Sequence, residues 1–184
     1  MKTWRVRVLS VALVSLATLS LVSVVGYTRL GPKWPDDEVG HLQVFVPSYD
    51  HHFSEWLFAL GAWNAAGTAV HFNHQYEPEW CDIGCLSWYD DGVDWDGLCA
   101  WGVRENPEYF SWAYCYLNCY HVDDYPLNAV RSVAVHETGH SVGLGEMPTS
   151  AAVVMNWWTY TRYVVWGIYT PQGDDIDGLY DIYY

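Results

Sequence analysis

Eleven residues, His136-Glu137-Thr138-Gly139-His140-Ser141-Val142-Gly143-Leu144-Gly145-Glu146, bring two histidines and two acids together at spacings that suit a zinc site. Histidines at i and i+4 of a helix with 3.6 residues per turn share one face, about 6 Å apart along the axis, so both imidazoles can grip one metal. Glu137 lies about 100° round the helix from His136, off the ligand face but within reach of a water that the metal activates. Gly143 falls where the helix must stop, and glycine accepts the left-handed conformation that reverses the chain. Glu146, three residues further on, is then placed as the third ligand, with the fourth position left to water, as in catalytic zinc sites. The chemistry would be metal-assisted hydrolysis with Glu137 as proton acceptor. The competing reading is a helix whose histidines cap it or fill a core, but two histidines and two acids in an apolar segment are costly to bury without a cation.

The helix that carries these residues must be held firmly. Pro126 precedes Leu127, Val130, Val133, Ala134 and Val142, which spread apolar side chains around most of its circumference and predict burial on two sides. In the Ala151-Ala152-Val153-Val154-Met155-Asn156 segment, Met155 follows Glu146 by nine residues, and Asp174-Asp175-Ile176-Asp177-Gly178-Leu179-Tyr180 lies near the end of the chain.

With these parts in place, the chain resembles the metzincin metallopeptidases, and within them the matrixin-like group that includes the matrix metalloproteinases. Those enzymes carry His-Glu-x-x-His-x-x-Gly-x-x-His, a methionine under the metal, and a last helix that opens with two aspartates. The resemblance implies an α+β fold of the metzincin type: a twisted mixed sheet, an active-site helix bearing His136 and His140, and a small C-terminal subdomain ending in a helix. At the front of the domain, residues 42–46 look like the first strand, 56–65 like the first helix and 70–72 like the second strand. Residues 98–102 would be the edge strand to which an extended peptide adds by backbone hydrogen bonds, with Leu98, Ala100 and Trp157 meeting the substrate. The loop 156–173, rich in Trp157, Trp158, Tyr160, Tyr163 and Trp166, would wall an apolar specificity pocket. The expected activity is that of a secreted zinc-dependent endopeptidase acting on protein or peptide substrates, with Met155 as a structural support under the metal.

Departures from the family pattern are also visible. The third histidine of the family is Glu146 here, a competent zinc ligand whose extra anion should weaken the Lewis acid and move the activity optimum to more alkaline pH. Trp157 stands where some metzincins have a metal-binding tyrosine. No cysteine precedes Cys81, so a propeptide cysteine of the matrixin kind cannot confer latency.

The acidic, glycine-bearing stretch Asp90-Asp91-Gly92-Val93-Asp94-Trp95-Asp96-Gly97 is a second candidate for metal. Its carboxylates cannot all ionise cheaply unless a cation or water separates them. Matrixin-like domains hold structural calcium in a comparable loop, which would make Asp91, Asp94 and Asp96 calcium ligands; an acidic solvated turn is the equal alternative. His51, His52, His74 and His121 read as surface or loop residues, any of which could serve as an auxiliary ligand.

Length and composition allow one domain with a sizeable core. Lys2, Arg5 and Arg7 precede an uncharged run over residues 8–26, the charge order of a secretory signal, and the run approaches bilayer-spanning length. Residues 1–26 are therefore expected to be a signal peptide or an uncleaved signal anchor, 27–40 a linker and 41–184 the catalytic domain, facing outward in either case. The chain beyond residue 26 has five Lys and Arg against twenty-two Asp and Glu. That surplus of negative charge argues against nucleic acid and against anionic membrane surfaces, leaving the anchor as the only membrane contact, and suits calcium or a saline medium. A monomer is expected. Five cysteines in an exported chain predict disulfides with one thiol left over. A crossed pairing of Cys81 and Cys85 with Cys115 and Cys119 would staple the strand at residues 111–119 to the segment before it; structural zinc at four of the five is the rival. Two other functions stay open: a secreted binding module with this fold and no catalysis, and a metal-dependent hydrolase of substrates other than peptides.

Overall fold

The computed structural model describes residues 27–184; the expected signal or anchor, residues 1–26, lies outside the described residues. The order of elements is β1 (Thr28–Arg29), β2 (Leu42–Phe45), α1 (Phe53–Asn64), β3 (Phe72–Gln75), β4 (Ile83–Trp88), β5 (Gly97–Val103), β6 (Phe110–Asn118), a one-turn α2 (Cys119–Val122), α3 (Leu127–His140), β7 (Leu144–Gly145) and α4 (Gly173–Tyr183). A short 3-10 turn, Val39–His41, precedes β2, and a π-helical segment, Tyr160–Val165, lies between β7 and α4. The architecture is mixed α+β.

Five strands form one mixed sheet in the order β3-β2-β4-β6-β5. The first four run parallel to their neighbours, and β5 closes one edge antiparallel to β6. Alternation explains which face is covered: Ala113, Cys115 and Leu117 of β6 are buried, while the alternating Trp112 and Tyr114 are exposed. Ile83 and Cys85 of β4 and Leu42 and Val44 of β2 continue the buried row.

Helices α1 and α3 cover that face and pack on each other. In α1 the buried residues Trp56, Ala59, Leu60 and Trp63 recur at i, i+3, i+4 and i+7, the stripe of an amphipathic helix. Trp63 then reaches across to α3, where its indole N–H donates to the Val135 carbonyl at 2.9 Å and the Thr138 hydroxyl at 3.1 Å. Truncating so large a buried side chain typically costs about 3–5 kcal/mol. Helix α3 is buried continuously from Ser132 to His140, so its two-sided burial follows the expectation from its apolar residues.

Several boundaries differ from the sequence reading, most of them by one residue at a strand end. Helix α1 begins at Phe53, three residues early, because His52 and Asp50 turn the chain there. Strand β3 begins at Phe72, where pairing with Leu42 starts, and not at residue 70. Residues 27–40 are no linker: β1 pairs antiparallel with β7, and Trp34 is fully buried, with its indole N–H donating to the Ser141 carbonyl at 2.8 Å. The chain there is held by packing against the end of α3.

Candidate metal centre

His136 and His140 lie on one face of α3 with ring centroids 4.6 Å apart. After α3, Gly143 adopts φ +97°, where a side chain would be strained and a Cβ would meet the Pro32 carbonyl at 3.0 Å. The chain turns back through β7, and the Thr28 hydroxyl of the paired strand donates to the Glu146 carbonyl at 2.7 Å. The turn thereby delivers Glu146 Oε1 to 3.4 Å from His136 Nε2 and 3.2 Å from His140 Nε2, while the two Nε2 atoms stand 3.1 Å apart. These three atoms form one of the two clusters of convergent metal-ligand atoms among the described residues.

The other ring nitrogens fix what those atoms can be. His136 Nδ1 donates to the Val154 carbonyl at 2.9 Å, and His140 Nδ1 donates to the Leu144 carbonyl at 2.8 Å. A carbonyl accepts only, so both Nδ1 atoms carry protons, and in neutral rings both Nε2 atoms present lone pairs. Two lone pairs and a carboxylate oxygen thus face one another. A single proton on His140 would serve one of the three contacts and leave the others unserved, whereas a dication serves all three. For metal–ligand distances of about 2.0–2.2 Å, the edges of a tetrahedron are about 3.3–3.6 Å, close to the separations found. The donor set therefore fits zinc.

Burial, followed by the charge of Arg162, pushes His136 down to about 4. His140 is also penalised by burial, but its hydrogen bond to Glu146 and the charge of Glu137 more than offset this and raise it. Glu146 is half exposed; burial works against its charge, yet both histidines hold it well below the usual carboxylate range.

Glu137 is buried beside this cluster and raised by that burial to about 7. Its carboxylate lies against Gly97, the first residue of β5, where a Cβ would come within 2.6 Å of Oε1. Met155 is buried with its sulfur under Gly139, between the two histidines. The carboxylate of Asp175, in the first turn of α4, accepts from the backbone N–H of Val154 at 2.9 Å and of Met155 at 3.1 Å, so the last helix holds the methionine turn.

A cleft of about 560 Å³ opens beside the cluster, lined by His136, Glu137, Glu146, Trp157, Tyr160 and Arg162 among others. A second hollow, of about 230 Å³, lies on the other side between Leu98, Trp101 and Leu30 and also reaches Glu137, His140 and Glu146. Leu98 is exposed on the free edge strand with Ala100 partly exposed beside it, and Trp157 is exposed at the cleft wall.

Arg162 was not singled out by sequence reasoning. It is 1% exposed, and it donates through Nε to the Ser132 hydroxyl at 2.8 Å and through Nη2 to the Thr159 hydroxyl at 3.1 Å, with a further bond from Nη1 to the Asn156 carbonyl. Burial lowers its guanidinium only to about 10, so it stays charged and faces Glu137 and Glu146. A lone cation inside an aromatic run was the available signal.

The structure does not gather Asp91, Asp94 and Asp96. Among the described residues their carboxylates form no convergent group. Asp96 accepts from the Tyr125 hydroxyl at 2.9 Å. The loop is held instead by the Asn118 amide, which donates to the carbonyls of Asp90 at 2.9 Å and Trp95 at 3.2 Å, and by His121 Nε2 at 2.9 Å from the Val93 carbonyl.

The disulfide expectation is corrected as well: all five cysteines are free thiols, and no four of them converge on a metal position. Strand register sets Cys115 opposite both Cys85 and Cys99. Cys99 and Cys115 approach to 3.5 Å between sulfurs, well beyond a bond of about 2.05 Å.

No protein-family model matches this chain, and no curated protein is significantly similar to it in sequence.

Proposed function

We propose that this protein is a zinc-dependent endopeptidase of the metzincin, matrixin-like kind, exported from the cell, with His136, His140 and Glu146 as the metal ligands and Glu137 as the general base. The observation that carries the reading is the trio of ligand atoms, 3.1–3.4 Å from one another, with both Nδ1 protons committed to backbone carbonyls. Bound zinc would supply Lewis acidity toward a carbonyl oxygen and toward a water at the open side of the site.

The protein's own residues divide the remaining work. Glu137, held near neutrality by its burial, is suited to accept a proton from the attacking water and return it to the leaving amine. Its place against the first residue of β5 sets that carboxylate beside the edge strand, so a peptide paired with β5 would pass its backbone across Glu137. The hollows on either side of the cluster offer room for the chain before and after the cut, and the half-exposed Trp157 and Trp158 offer apolar contact on the larger side. Arg162 places a fixed positive charge behind the site, which favours the anionic forms of Glu137 and Glu146.

Metal removal tests the reading. An unfolded protein substrate should be cut by the full chain, the cutting should stop after exhaustive treatment with a zinc chelator, and stoichiometric zinc should restore it. Cleavage that persists in protein shown by metal analysis to be free of zinc would reject it.

A further inference from the structure

A second His-His-carboxylate group lies away from the cleft, and nothing in the peptidase reading uses it. His51 and His52 form the turn that leads into α1, and Asp123 follows α2, 71 positions after His52. Asp123 Oδ1 is 2.9 Å from His52 Nε2 and 3.3 Å from His51 Nε2, and the two rings meet edge to face with centroids 4.7 Å apart. One ligand atom from each residue falls within 4.8 Å of the others.

The turn bearing the histidines is anchored. The Asp50 carboxylate accepts from the backbone N–H of His52 at 2.9 Å, and also from the N–H of Ser87 at 2.6 Å and its hydroxyl at 2.5 Å, which rivets the turn to β4. His52 is buried, whereas His51 and Asp123 are open to solvent, so three ligand atoms converge from the protein side and the outer side remains for water. Glu55 Oε2 stands 3.8 Å from His52 Nδ1, longer than a hydrogen bond. Among the described residues no Lys or Arg pairs with Asp123; its ion-pair partners are these two histidines.

We propose that His51, His52 and Asp123 form a second metal site that takes a borderline divalent ion of the zinc class and clamps the start of α1 to the segment leading into α3. Two imidazoles and one carboxylate favour such ions over calcium or magnesium, which prefer an all-oxygen shell. The separations of 2.9 and 3.3 Å fall at or slightly inside the edge of a zinc tetrahedron, so a small outward movement of the exposed His51 and Asp123 completes it. Asp123 precedes the first residue of α3 by four positions, so a bound ion would brace the chain just ahead of the active-site helix. The histidine rings of this site lack carbonyl tethers of the kind seen at His136 and His140, and its affinity is accordingly lower, by about 10–100-fold.

The test is zinc titration of the chelator-stripped full chain by calorimetry, with folding checked by circular dichroism. The wild type should bind about two ions, the tighter one at the cleft; His51→Ala and, separately, Asp123→Asn should each bind about one and lose the weaker phase. Peptide cleavage should persist in His51→Ala, whose side chain is exposed. Wild-type stoichiometry retained in both variants, or a wild type that binds about one ion which neither variant loses, would overturn the second site. The His140→Ala variant separates the two readings: if it keeps the weaker phase and His51→Ala loses it, the second site stands whatever becomes of the peptidase.

Discussion

Two clusters in this molecule share a donor set and differ in how the protein holds it. In the inner one, the histidines are spaced i and i+4 on a buried helix, each ring is tied by Nδ1 to a carbonyl, and the carboxylate arrives by a glycine turn six residues after the second histidine. In the outer one, the histidines are adjacent, one ring is exposed, and the carboxylate comes from a distant element. Carbonyl tethers fix the tautomer and aim the lone pairs before any metal arrives, so the inner cluster has less to reorganise on binding. Beside the inner cluster a cleft opens onto the buried carboxylate of Glu137. On the proposed reading, ligand identity would select the kind of ion, whereas the atoms behind the ligands would set affinity.

Removing one histidine from each cluster gives the largest contrast. His140→Ala should lose the tight zinc and all measurable peptide cleavage, while His51→Ala should cleave at close to the wild-type rate, as followed with a quenched peptide. Equal losses in the two variants would erase the distinction drawn between the clusters.

A smaller effect is expected from Glu146→His, which exchanges an anionic ligand for a neutral one. The gain in net positive charge should move the pH optimum of cleavage down by roughly one unit, read from kcat/KM against pH. An unchanged optimum would mean that Glu146 is not bound to the metal during turnover.

The smallest effect concerns the metal-free protein. Burial raises Glu137 from an ordinary 4.5 to about 7, so the folded state retains a proton that the unfolded chain releases. The associated stability is present below about pH 4.5 and is lost as pH rises through about 7, a change of about 1–3 kcal/mol. His136, pushed down to about 4, acts in the opposite direction over part of this range. Comparison with Glu137→Gln isolates the glutamate: between pH 5 and 7 the metal-free wild type should lose more thermal stability than the variant. Bound zinc, by favouring the carboxylate, should flatten the difference.

Much of the inner cluster was legible because it is local. The spacing of His136 and His140, the turn at Gly143 and the reach of Glu146 all follow from helix geometry within a few residues. The second strand and α1 were placed by the resemblance, although pairing with β2 and the turn at His52 moved their boundaries. What stayed hidden is non-local. Arg162 is buried because Ser132, thirty residues earlier, accepts its Nε proton while Asn156 and Thr159 accept the others, and the lone cation in its aromatic run does not reveal those partners. Trp34 and the β1–β7 pairing turned an expected linker into part of the core for the same reason. Asn118 and His121 took over the acidic loop because the end of β6 and the following turn pass beside it, and Asp123 met His51 and His52 through tertiary packing alone.

The central claim is that the inner cluster holds a catalytic zinc served by Glu137. It is tested most directly by cleavage of an unfolded protein with zinc-loaded His51→Ala chain and with the same chain also carrying Glu137→Gln, both verified to hold about one zinc. The account predicts equal zinc and a rate lower by about 10²–10⁴-fold in the Glu137→Gln protein. Equal rates at equal zinc content would contradict it.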